Sequence, residues 1–255
     1  DVSLAGPSGY GVDNLVPQAT PLPYVISVEN AQTASRAVTQ LRVVETLDAN
    51  FDLRSFRLGD ILLDDIQIHI PANRATFSGQ FDFVDQRGFV LSVTAGIDVV
   101  TRTAIWDITA VDPTTGLPLT SARTGLLPPG GSGSIGYTVR ANPAAATGAS
   151  ADSVARVFYN SDAARLTNSV TVKLDATAPT TTYAATSLGH GNFQLNWSVT
   201  DDTFGSGVKD ATVYVSVDNG PYFVYEPKTS ADSLVYRGVA GQTVLPEEAA
   251  KVAAL

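Results

Sequence analysis

Three aspartates could together bind a metal ion. Asp175 ends an alternating segment shortly before Pro179, and Asp201 and Asp202 precede the Gly-Ser-Gly segment at 205–207. Calcium takes about six to eight oxygen ligands, which loops rich in Asp and backbone carbonyl groups can supply. We therefore expect a calcium site formed by Asp175, Asp201 and Asp202. The alternative is that Asp201 and Asp202 only cap a turn and that Asp175 is solvated, because loop carboxylates commonly terminate strands.

A second group of acidic residues lies further towards the N-terminus. Its members are Asp48, Asp52, Asp60, Asp64 and Asp65. An EF-hand loop needs acids at alternate positions around a central glycine, and this spacing does not match that pattern. The sequence therefore favours the first group of aspartates over this second acidic group as the calcium site.

Aromatic residues follow the turn Asp-Asn-Gly at 218–220, which is typical of a β-hairpin. Tyr222 and Tyr225 lie just after it, with Phe223 between them and Tyr236 further along the chain. Exposed rings can stack on sugar rings, so Tyr222 and Tyr225 are the candidate carbohydrate-binding residues. The alternative is that two of these side chains point into the core and the others cover a sheet edge.

Residues that could perform catalysis are not grouped in the sequence. His69 alternates with isoleucines in a strand, and His190 lies in a Gly-His-Gly turn. Neither has neighbouring partners for a zinc site or a Ser-His-Asp triad, and no nucleophile elbow is present. The chain has no cysteine, which excludes disulfides and thiol nucleophiles. We therefore expect a protein that is not an enzyme and that binds no cofactor other than calcium.

The amino-acid composition argues against nucleic acid and membranes as binding partners. The 255-residue chain has a net charge of −9, only four lysines and scattered arginines, whereas nucleic-acid binding needs clustered Lys and Arg. No run of about 18 apolar residues exists, so no membrane span is expected. The absence of an initial Met predicts a piece of a longer or processed chain whose signal peptide lies outside it.

Strands of alternating character occur at short, regular intervals between frequent turns. Phe, Leu, Trp and Val alternate with polar residues over 193–199, and Asp-Pro-Thr-Thr-Gly at 112–116 is a turn in which Pro presets φ. This pattern predicts an all-β protein of two tandem β-sandwich domains, Ig-like or fibronectin III-like. The predicted bounds are an extended lead-in at 1–23, a first β-sandwich at 24–176 and an Ig- or fibronectin-like β-sandwich at 177–255.

An ordered set of short segments resembles a module pair of large secreted and cell-surface bacterial proteins. The matching segments lie at 6–11, 22–24, 29–31, 55–60, 112–118, 126–129, 175–179, 197–202, 205–208 and 215–222. Together they cover most of residues 6–243. In that family a conserved-repeat β-sandwich domain is followed by an Ig- or fibronectin-like repeat.

This resemblance implies a non-catalytic structural or adhesive role outside the cell, as a spacer, stalk or assembly unit. Neighbouring domains or subunits of a surface assembly are the implied partners. The alternative is a carbohydrate-binding or accessory module of a secreted hydrolase, with a glycan as the partner.

The C-terminus departs from the family pattern. After Gly-Gln-Thr at 241–243 the family continues with an aromatic strand, whereas this chain continues Val-Leu-Pro-Glu-Glu-Ala-Ala-Lys. Proline at a first helical position, two acids in the first turn and following alanines favour a short helix. The second sandwich would then lack its last strand, and its open edge could accept a strand from a neighbouring subunit.

Overall fold

A computed structural model describes residues 1–120, 123–241 and 243–252. The first elements are β1 (Val2–Ala5), β2 (Leu15–Pro17), β3 (Leu22–Glu29), β4 (Gln40–Thr46), β5 (Phe51–Leu63), β6 (Ile66–Ile68), β7 (Thr76–Phe83), α1 (Val84–Arg87), β8 (Phe89–Asp98), β9 (Thr103–Val111) and β10 (Ser132–Ala141). The later elements are β11 (Ser150–Ser153), β12 (Ala155–Tyr159), β13 (Arg165–Leu166), β14 (Val170–Asp175), β15 (Thr180–Gly189), β16 (Asn192–Thr200), β17 (Val208–Val217), β18 (Phe223–Thr229), β19 (Ser233–Arg237) and β20 (Val244–Val252). The predicted all-β class is confirmed.

The chain divides into two compact units. The first unit comprises Asp1–Ser8, Gln18–Ala145 and Ala149–Val172, and the second comprises Gly9–Pro17, Ala146–Gly148 and Lys173–Leu255. The chain thus passes from one unit to the other within β14, a few residues before the predicted boundary at 176/177.

The first unit is a β-sandwich. One sheet has the strand order β1-β3-β10-β5-β6 and the other has the order β13-β12-β4-β9-β8-β7. Strand β3 alternates buried and exposed residues along its whole length, as a strand with one face on a core must. The two sheets meet through aromatic side chains: the ring centroid of Trp106 lies 6.0 Å from that of Phe56 and 5.8 Å from that of Tyr137.

The second unit is a smaller sandwich. Its sheets have the orders β15-β16-β19 and β18-β17-β20. Buried side chains from both sheets form its core: Leu195, Trp197, Ala211, Val213, Val215 and Tyr236. The turn predicted between β17 and β18 is present, because Asp218 and Asn219 both adopt the positive φ values that a tight hairpin requires.

Two predictions about the chain ends are wrong. Residues 1–23 are not a lead-in without regular structure, because β1 pairs antiparallel with β3 and β2 pairs in parallel with β14. The C-terminal segment is strand β20, which pairs antiparallel with β17, instead of the expected helix. The second unit therefore has a last strand, and the expected loss of that strand, with the open edge it would leave, is wrong.

No helix in the described part of the chain is both long and apolar enough to cross a membrane.

Candidate metal centre

Asp175 is held in place by the strand that carries it. It is the last residue of β14, whose final three residues pair in parallel with β2, with Asp175 opposite Pro17. Its side chain is buried, with an exposed fraction of only 6%. The Oδ2 atom accepts a hydrogen bond of 2.9 Å from the backbone N–H of Ser206, whereas the buried Oδ1 atom has no hydrogen-bond partner. One oxygen of a buried carboxylate is thus left without compensation.

The loop from 201 to 207 supplies the other two carboxylates. Asp201 Oδ2 accepts the backbone N–H of Gly207 at 2.7 Å, and Asp201 Oδ1 accepts that of Asp202 at 2.9 Å. Gly207 has a φ of +80°, a value that glycine adopts without strain. These contacts fold the loop so that its carboxylates turn towards its own backbone.

Gly205 makes the close approach of both carboxylates possible. A Cβ atom at this position would lie 2.4 Å from Asp202 Oδ1 and 2.5 Å from Asp201 Oδ2, well inside van der Waals contact. Any residue with a side chain would therefore displace the two carboxylates that it faces. The sequence prediction gave this glycine no role in the site, because its approach to the aspartates is visible only in the fold.

The three predicted aspartates come together. One oxygen from each of Asp175, Asp201 and Asp202 lies within 4.8 Å of the others. Oxygens that share a calcium ion at about 2.4 Å can be at most about 5 Å apart, so this spacing fits such an ion. All three residues belong to the second unit. An ion bound by them would therefore act within that unit.

Ser206 is a neighbour of the site that the sequence did not single out. Its side chain is buried with 6% exposure, and its Oγ atom has no hydrogen-bond partner. Its backbone N–H binds Asp175, so the hydroxyl is close in the chain to the acidic cluster. Leaving a buried polar atom unpaired costs about 1–3 kcal/mol. The orphaned atoms of Asp175 and Ser206 together indicate a place where a further polar or charged group would be stabilising.

A short segment of the second unit supports the end of β14. The N–H of Gly148 donates to the carbonyl of Leu174 at 2.8 Å, and the N–H of Ala176 donates to Thr147 Oγ1 at 3.0 Å. These bonds flank Asp175 on both sides in the sequence. They fix the backbone from which the buried carboxylate projects.

The second acidic group is used locally. Asp60 accepts the backbone N–H of Ile70 at 2.9 Å and pairs with the ring of His69 at 3.1 Å, and these contacts lower the pKa of Asp60. Asp65 forms an ion pair with Arg87. Among the described residues, a cluster of three or more metal-ligating side chains is formed by Asp175, Asp201 and Asp202 and not by this second group.

The two candidate carbohydrate-binding residues have different environments. Tyr222 is exposed, with 47% of its surface accessible. Tyr225 packs against the core of the second unit, and its ring centroid lies 5.0 Å from that of Tyr236. Of the two rings, Tyr222 is therefore the one free to meet a ligand, and Tyr225 follows the alternative that placed it in the core.

The fold can be compared with solved structures. No family model matches the chain, and no curated protein matches it. Domains D2 and D3 of the major pilin SpaD from Corynebacterium diphtheriae are 11% identical, with a TM-score of 0.39 over 99% of this chain and 84% of that one. The major pilin subunit BcpA of Bacillus cereus is 10% identical, with a TM-score of 0.39 over 96% of this chain and 59% of that one.

A third similar structure is the collagen-binding domain of a Staphylococcus aureus adhesin. It is 10% identical, with a TM-score of 0.35 over 68% of this chain and 95% of that domain. At these identities the likeness concerns the fold alone.

Proposed function

We propose that this chain is a non-catalytic structural or adhesive module of an extracellular bacterial protein, and that calcium stabilises its second unit. The ordered segments between residues 6 and 243 support the surface-protein assignment through their resemblance to that family. Its two β-sandwich units support it as an all-β architecture of the kind that spaces or presents other domains. In this role the chain joins neighbouring domains or subunits and is not an enzyme.

One observation carries the calcium part of the proposal. Asp175 is 6% exposed, its Oδ1 atom has no hydrogen-bond partner, and two further carboxylates lie within 4.8 Å. Three negative charges at this distance repel one another, and the burial of Asp175 removes the water that would screen its charge, whereas Asp201 is half-buried and Asp202 is exposed. A hard divalent cation reverses the sign of this interaction and is coordinated by the oxygens that are otherwise unpaired. Asp175, Asp201 and Asp202 are the proposed ligands.

Thermal unfolding with calcium or with EDTA tests this proposal. An ion that binds only the folded state at one hundred times its Kd stabilises that state by about 2.7 kcal/mol. For a unit of this size we expect the unfolding midpoint to rise by about 10 °C in calcium. Unchanged melting in the two solutions would contradict the proposal.

The substitution Asp175→Asn distinguishes a calcium ligand from a residue with only a structural role, because the two roles predict opposite changes of stability in EDTA. It removes one negative charge from the repelling group but keeps an acceptor for the Ser206 N–H. We therefore expect the variant to be at least as stable as the wild type in EDTA and less stable in calcium. Asp232→Asn is the matched control, because Asp232 lies in the same unit outside the cluster and its side chain accepts a hydrogen bond from the Ser233 hydroxyl. It should leave the response to calcium unchanged.

The surface role is tested separately. Antibodies raised against the purified chain should label intact source cells or the secreted fraction. Labelling only after cells are broken open would contradict the extracellular assignment and would leave the calcium result unaffected.

A further inference from the structure

Three arginines line one open cavity at the surface of the first unit, where Arg54 and Arg140 are exposed and Arg57 is half-buried. The cavity has a volume of about 580 Å³, and its polar lining consists mainly of Arg54, Arg57, Arg140, Asp52, Ser55 and Asn73. This volume is in the range of about 300–1,000 Å³ that is usual for small-molecule sites in proteins. The cavity lies in a different unit from the acidic cluster and was not noticed in the sequence.

The cavity is built on an irregularity between β5 and β10. Arg140 lies opposite Asp52, whereas Thr138 lies opposite Arg57, so β5 contains extra residues between these two pairs. Such bulges redirect side chains and are frequent beside functional sites. Ser55 lies within the bulge: its Oγ atom donates to the Asp52 carbonyl at 2.6 Å and accepts the Arg140 N–H at 2.7 Å. The side chains around the cavity are therefore placed by a hydrogen-bonded backbone.

The guanidinium group of Arg57 is oriented by the same bulge. Its Nη1 atom donates to the carbonyl oxygens of Arg54 at 2.7 Å and Phe56 at 2.6 Å. Its Nε and Nη2 donors are not used in these bonds. A guanidinium held in this way loses less conformational entropy when it binds an anion.

The positive charge of the cavity is not neutralised by ion pairs. In the part of the chain that the structure describes, the ion pairs of arginine involve Arg36, Arg42 and Arg87. Asp52 is the one carboxylate of the lining, and its Oδ1 atom already accepts the backbone N–H of Arg54 at 3.0 Å. Three cations around one carboxylate are notable in a chain whose net charge is −9.

We propose that this cavity binds an acidic sugar through its carboxylate group. The planar guanidinium fork matches a carboxylate with two parallel hydrogen bonds. Asp52 accepts hydrogen bonds from hydroxyl groups, and Asn73 both donates and accepts them. A sugar acid carries both the anion and the hydroxyl donors that this lining requires. An acidic peptide side chain brings the carboxylate without the hydroxyl groups.

Titration calorimetry of the full chain with a galacturonic acid trisaccharide tests the proposal. We expect saturable binding in EDTA as well as in calcium, which separates this site from the acidic cluster. Hexaglutamate, inorganic sulfate and a neutral trisaccharide should bind at least about tenfold more weakly. Equal binding of hexaglutamate or sulfate would overturn the assignment to a sugar acid, as would the absence of any binding.

Arg140→Gln is the decisive variant. Arg140 is exposed, and only its backbone takes part in the bulge, so the fold should tolerate the substitution. We expect affinity for the trisaccharide to fall by about tenfold or more, as for the loss of a charge-assisted pair. Arg156→Gln, at an exposed arginine on β12, is the control and should bind as the wild type does. Retained affinity in Arg140→Gln would overturn the proposal.

Discussion

The buried carboxyl group of Glu45 should make the first unit sensitive to pH. Glu45 lies on β4 and is 1% exposed. Its Oε1 atom accepts a hydrogen bond of 2.7 Å from the Tyr137 hydroxyl, whereas its Oε2 atom has no hydrogen-bond partner. The hydroxyls of Tyr24 and Ser153 are also buried without a partner. A charged carboxylate at this place is therefore only partly compensated, and the neutral acid is favoured.

The size of the stability change with pH follows from the pKa of Glu45. Burial raises the pKa of Glu45 from 4.5 to about 7, against the opposing hydrogen bond from Tyr137. The folded state then holds the proton more tightly than the unfolded state does. The associated stability is fully present below pH 4.5 and is lost as the pH rises to about 7 and beyond. Such a difference in pKa corresponds to a loss of about 3 kcal/mol.

Urea unfolding of the wild type and of Glu45→Gln between pH 5 and pH 8 measures this loss. The experiment is performed in EDTA, so that cation binding does not contribute. The amide keeps the size and an acceptor for Tyr137 but does not titrate in this range. We expect the free energy of unfolding of the wild type to fall by about 2.5 kcal/mol across the range, and that of the variant to stay level.

Glu226→Gln provides the control, because Glu226 is an exposed glutamate of the second unit. This variant should retain the pH dependence of the wild type. If Glu45→Gln showed the same slope as the wild type, the buried carboxyl group would not be its cause and the reasoning would be refuted.

Two further predictions concern the second unit. Gly205→Ala should abolish the stabilisation by calcium, because the added Cβ would lie 2.4 Å from Asp202 Oδ1. Gly136→Ala is the control, because its Cβ would have no neighbour closer than 3.7 Å. Melting curves of both variants with calcium and with EDTA measure the stabilisation. Deletion of residues 244–255 should lower the melting temperature of the second unit and promote association, because it removes the strand paired with β17. An unchanged melting curve and a monomer on size-exclusion chromatography would contradict the second prediction.

The strands that sequence predicts best are those with one buried face. The alternating segment at 193–199 is strand β16, which is one residue longer at each end. In contrast, Phe51–Leu63 forms one strand of 13 residues across acids and a glycine that suggest turns. Pairing with β10, including the bulge, holds this segment extended. Local sequence does not contain that information.

The C-terminal strand is a second case in which pairing with a distant strand, and not the local sequence, determines the structure. Proline followed by two glutamates and two alanines has a helical propensity worth a few tenths of a kcal/mol per residue. Pairing of β20 with nearly the whole of β17 outweighs such a preference. The pairing partner lies some 30 residues away in sequence, so no pattern within the segment could indicate it.

The residues of the acidic cluster could be predicted from the sequence, but the burial of Asp175 could not. The oxygen ligands that Asp-rich loops offer to calcium suggested Asp175, Asp201 and Asp202 together, and the fold brings their oxygens within 4.8 Å. The burial of Asp175 results from pairing between β14 and β2, which are far apart in sequence. Glu45 was missed for a related reason: Val43, Val44 and Glu45 are all buried, which departs from the strict alternation expected of a strand.

Glu45 and Asp175 are both buried carboxylates with one unpartnered oxygen, yet their surroundings call for different neutralising groups. Around Glu45 the neighbours are hydroxyl groups, so the site is neutralised by a proton. Around Asp175 the neighbours are two further carboxylates, and one proton cannot neutralise three charges. A divalent cation can neutralise most of them. We therefore expect the first unit to respond to pH between 5 and 8 and the second to respond to calcium. Glu45→Gln should remove only the first response, and Asp175→Asn only the second.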